Sequence, residues 1–77
     1  MLVRQQITAA RALLGWTRQE LSERSGVSLR TVARYESGEG DITATKLGRL
    51  EEALLGEGIQ FVDGGVTCEA LKRAVPR

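Results

Sequence analysis

Arg30 and Arg34 stand four positions apart in SGVSLRTVARYESG, residues 25–38. Each carries a planar guanidinium, a fork of N–H donors that fits a carboxylate, a phosphate or the O6 and N7 edge of guanine. Taking roughly 100° per residue, a helix through this stretch puts Val32, Tyr35 and Glu36 on one side. Both arginines then fall on nearly the opposite side. With Val32 turned to a core, both guanidiniums must meet solvent or a ligand.

Glu36 poses a separate problem, because an inward carboxylate is costly unless it finds a partner. Arg11 shares its helical side with Ile7, Ala10 and Leu14, so it also points inward. Opposite charges facing inward from neighbouring helices predict a structural Arg11–Glu36 ion pair. Breaking one partner of such a buried pair typically costs about 3–5 kcal/mol.

The other reactive side chains offer less. Cys68 reads as a half-buried thiol in a strand, the usual state of a free cysteine. Trp16 reads as core, and Glu51, Glu52 and Glu57 as a solvated helix face. One cysteine and no histidine exclude a disulfide framework or a zinc site. With no nucleophile–base arrangement and no phosphate-cradling loop, neither an enzyme nor a cofactor is expected.

The elements that must position these groups are marked by caps and glycines. VRQQITAARALL predicts a first helix over 3–14, ended by Gly15. Thr17 and Glu20 form a capping-box pattern, with Trp16 and Leu21 as its hydrophobic staple, opening a second helix over 18–25. Gly26 stops it. Ser28 is the expected N-cap of a third helix over 29–36, with Val27 and Val32 at the staple positions. A fourth helix, 44–55, is capped by Thr43 and striped by Leu47, Leu50 and Leu54. IQFV, the turn signal DGG and VTC then predict a β-hairpin. The remainder, EALKRAVPR, fits a short helix or a tail equally well.

Two short helices joined by a tight glycine turn form a helix-turn-helix, which lets the second helix enter a DNA major groove. Ser22 supplies the small residue where the helices cross, Gly26 the positive-φ turn, and Val32 the apolar anchor. Arg30 and Arg34 would then read bases, while Leu29 and Thr31 are placed to touch thymine methyls.

The string RALLGWTRQELSERSGVSLRTVARYESGEG resembles the phage-repressor-like helix-turn-helix family, the lambda repressor and Cro class of xenobiotic-response-element type. The resemblance covers residues 4–58. It implies a compact four- or five-helix domain that binds double-stranded operator DNA, usually as a homodimer; for this chain a mainly α, compact four-helix lambda-repressor-like domain with a short C-terminal β-hairpin is expected. It also implies that Thr17 and Arg18 touch phosphate, and that Ser28, Leu29, Arg30, Thr31 and Arg34 lie on the recognition helix. Arg11 and Glu36 match the family's internal ion pair. Arg18 stands where many members have glutamine, which adds a charge for phosphate and loses an amide that buttresses a neighbour. The loop Gly38 to Asp41 carries Glu39 and Asp41 where relatives often have basic contacts. No fifth helix is evident, and the hairpin takes its place.

At 77 residues the chain is expected to form one small unit: residues 1–58 as the DNA-binding domain, and 59–77 as a hairpin and tail suited to dimerisation. Net charge is only +1, but residues 1–38 carry six arginines against three glutamates, which points to one attractive face. No signal peptide or membrane span is visible, so a cytoplasmic protein is expected. The function this supports is a sequence-specific transcriptional regulator, a repressor or activator. Two alternatives stay open: an antitoxin-type autoregulator whose tail binds a toxin, and a protein-interaction adaptor that has lost DNA binding.

Overall fold

The computed structural model describes residues 4–68. It contains α1 (Arg4–Leu14), α2 (Arg18–Ser25), α3 (Leu29–Ser37), α4 (Ala44–Leu55), β1 (Ile59–Val62) and β2 (Gly65–Cys68). The expected start of α1 at residue 3 and the conformation of 69–77 lie outside the described residues. The chain is mainly α with a C-terminal two-stranded antiparallel hairpin.

Each of the last three helices is opened by a hydroxyl that satisfies an orphan backbone N–H. Thr17 accepts from the Glu20 N–H at 3.0 Å, Ser28 from Thr31 at 3.2 Å and Thr43 from Lys46 at 3.2 Å. The capping box expected at Thr17 forms only by half. The Glu20 carboxylate turns away from the helix start and accepts from Arg24 at 3.1 Å, one turn along α2. An opposite charge within reach attracts it more strongly than a neutral amide does. Gly26 and Gly38 close α2 and α3 in the left-handed region, at φ 77° and 81°, where a Cβ would be strained.

The core gathers one face from every element: Ile7 and Ala10 of α1, Leu21 of α2, Val32 of α3, Leu50 and Leu54 of α4, with Val27 from the turn. Leu14 and Leu47 pack at its edge. Ile59 and Cys68, paired across the hairpin, are also buried in this cluster. The thiol therefore sits deeper than the half-buried position expected. Trp16 closes the rim, with the Arg24 guanidinium 4.6 Å above its ring.

A buried glutamine docks the hairpin. Gln6 of α1 donates through Nε2 to the carbonyls of Val62 at 2.7 Å and Gly65 at 2.8 Å. Those residues flank the Asp63–Gly64 turn, so one amide holds the turn end of both strands against the first helix. Among the described residues no helix is long and apolar enough to cross a membrane.

Candidate nucleic-acid interface

The α2–α3 pair is held by short polar bonds inside its turn. Ser22 donates its hydroxyl to the Val27 carbonyl at 2.6 Å, satisfying a group that the tight turn leaves without a helical partner. Ser25 accepts from the Val27 N–H at 3.2 Å. With Val27 and Val32 both buried, the start of α3 is pinned from below. Its outer surface is therefore oriented by the core.

That outer surface carries the residues singled out from the sequence. Arg30 and Arg34 are exposed, opposite the fully buried Val32. Arg30 has no hydrogen bond or ion pair among the described residues. Arg34 leans back over the following turn, where Nη2 donates to the Glu39 carbonyl at 3.3 Å. Leu29 is 41% exposed on the same surface. Ser28 and Thr31 are bound to each other, hydroxyl to hydroxyl, at 2.9 Å, in addition to the capping bond. Thr17 is exposed at the head of α2, with its oxygen occupied as a cap.

Beneath this surface a carboxylate joins three helices. Glu36 has no exposed side-chain surface. It accepts from Arg11 twice, Nε to Oε2 at 3.0 Å and Nη2 to Oε1 at 2.9 Å, the fork-to-fork geometry of a strong pair. Arg11 also donates Nη1 to the Trp16 carbonyl at 2.9 Å, so its guanidinium is well satisfied. A third bond to Glu36 comes from Arg18 Nε at 3.0 Å. Burial alone would push the Glu36 carboxyl up. The hydrogen bonds and charges of Arg11 and Arg18 outweigh it and hold the group below the ordinary carboxylate value.

Arg18 has a contact that its sequence position did not announce: in place of the amide common in the family, its Nε braces the buried Glu36 carboxylate. Its side chain is 42% exposed, so its outer N–H groups still face water while Nε is committed inward.

Two features of the site escaped sequence reasoning. The Arg18–Glu36 bond joins residues whose helical phases are unrelated, and only the packing angle of α2 on α3 brings them together. The Arg34–Glu39 bond depends on how the chain leaves α3, which the glycines permit but do not specify.

A family model described as helix-turn-helix matches residues 7–55. The match takes in most of α1 and all of α2, α3 and α4, and it stops before the hairpin. No curated protein matches the chain.

Proposed function

We propose that this chain, which belongs to the lambda repressor-like, Cro-type helix-turn-helix family of DNA-binding regulators, is a sequence-specific transcriptional regulator that reads an operator with α3. The family is one of regulatory domains rather than enzymes. The observation that carries the reading is the outer face of α3: Arg30 is exposed and unpaired among the described residues, and it lies opposite a valine with no exposed surface. A guanidinium held on that side of a helix matches the donor pattern that guanine requires in the major groove.

In this reading Arg30 and Arg34 contact base edges, and Leu29 and Thr31 meet thymine methyls. Thr17, Ser28 and the outer N–H groups of Arg18 hold the phosphate backbone and set register. Two copies would occupy half-sites about 34 Å apart. The hairpin of β1 and β2, with the residues that follow, is the proposed dimerisation element, because a two-stranded sheet leaves strand edges unpaired. The units proposed are thus 1–58 for DNA and 59–77 for self-association.

Selection from a randomised duplex pool, followed by titration of the selected site at two salt concentrations, tests the reading. A binding motif and a fall in affinity with salt are expected. Recovery of no motif would refute it and favour the adaptor alternative, which the acidic residues Glu39 and Asp41 beside the recognition helix support. A chain that stays monomeric at high concentration in sedimentation would remove the dimer.

A further inference from the structure

The C-terminal end of α3 runs into the turn Gly38–Glu39–Gly40, and an arginine lies against each side of it. A Cβ added at Gly38 would stand 3.2 Å from Nε and Nη2 of Arg4. A Cβ added at Gly40 would stand 3.3 Å from Nε and Nη2 of Arg34. Cationic groups are favoured there, because the last carbonyls of a helix carry partial negative charge and Glu39 adds a full one.

The two glycines do different work. Gly38 needs its left-handed backbone, at φ 81°, to end the helix. Gly40 has no such need, since its φ lies outside the left-handed region, and any residue is permitted on backbone grounds. What the missing side chain at Gly40 leaves is room for a guanidinium. The Nε–Nη2 edge of Arg34 faces that room while Nη2 donates to the Glu39 carbonyl. Nη1, the other end of the fork, makes no hydrogen bond among the described residues.

We propose that Gly40 is a positioning residue for base recognition: together with the Glu39 carbonyl it cradles the inner edge of Arg34 and presents the outer end of the fork in one orientation. This rests on the DNA-binding reading given above. An arginine free in water loses much rotamer freedom when it docks. One already ordered by its own turn loses less and tolerates fewer misaligned bases. Specificity at the Arg34 contact is then set partly by a residue that touches no DNA.

The full chain is compared with Gly40→Ala, with Arg34→Ala to locate the base pair that Arg34 reads, and with Gly48→Ala as a control. Gly48 is a helical glycine where an added Cβ meets nothing within 4 Å. Selection from a randomised pool should show that Gly40→Ala loses about tenfold of the discrimination at the Arg34 base pair alone. Its melting temperature should not fall, since the backbone there suits alanine and the crowded atoms are the far end of a flexible side chain. In the free protein, nitrogen relaxation at Arg34 Nε should show the side chain ordered in wild type and Gly48→Ala, and loosened in Gly40→Ala. Full wild-type discrimination in Gly40→Ala would overturn the proposal, as would an Arg34 equally mobile in all three. If wild type selects no motif, base positioning falls along with the DNA reading. The relaxation result then decides by itself whether the turn holds Arg34.

Discussion

Replacing Glu36 by glutamine removes the one negative charge that two guanidiniums share. The carboxylate has no exposed surface and accepts three hydrogen bonds, two from Arg11 and one from Arg18. An amide of the same shape offers one oxygen and turns an N–H₂ donor toward an arginine that is also a donor. Arg11, only 17% exposed at its side chain, is left with a buried and uncompensated charge. That situation typically costs about 3–5 kcal/mol. A chain of 77 residues has a total stability of only roughly 4–12 kcal/mol. At roughly 4–8 °C per kcal/mol for this size, melting should fall by more than about 12 °C. Arg11→Met should cost nearly as much. Arg18→Met should cost under about 1 kcal/mol, because its partner keeps the Arg11 fork and water screens the exposed end. Urea and thermal unfolding followed by circular dichroism measure all three. Equal effects for Arg11→Met and Arg18→Met, or a loss below about 1 kcal/mol for Glu36→Gln, would refute the ranking of burial above charge count used here.

The same carboxylate predicts the pH dependence of folding. Its folded pKa is depressed, so its contribution is fully present above the unfolded carboxylate value and is lost as pH falls through the folded one; acid titration of wild type should therefore show a stability limb that Glu36→Gln lacks. Gly26→Ala puts a Cβ on a residue at φ 77° and should destabilise by about 1–2 kcal/mol, read by urea midpoint. Gln6→Leu removes both bonds to the hairpin turn, and hydrogen exchange should rise in β1 and β2 before it rises in α4. Arg30→Ala should relax base preference at one position by about 1–3 kcal/mol while leaving melting unchanged, as measured by competition between selected and single-mismatch duplexes.

Legibility of the fold followed the range of the interactions that make each element. The helices α2 and α4 begin after Thr17 and Thr43, because a cap is a bond between residues three apart and is written in the local string. The turn after Val62 was equally local. α3 runs one residue past its expected end, to Ser37, because Gly38, not Ser37, takes the left-handed conformation. Gln6 gave no sign of its role. An amide in an amphipathic helix reads as surface, and its acceptors lie 56 and 59 residues away along the chain. The inward side of Glu36 could be read from helical phase, whereas the second arginine on it could not, since phase says nothing of how two helices cross. Of the residues proposed to meet DNA, the outward direction of Arg30 and Arg34 was written in the spacing around Val32. The turn that restrains Arg34 was not.

Ile59 and Cys68 lie past the stretch that defines the family, yet they sit in the same apolar cluster as Ile7 and Leu54. The strands therefore serve as flooring for the helices as well as an appendage to them. A fragment cut at Leu55 would lose that floor and bare the apolar side of the helices to water, and transplanting the α2–α3 pair into another protein would require carrying the hairpin, or an apolar substitute for it, along with the four helices.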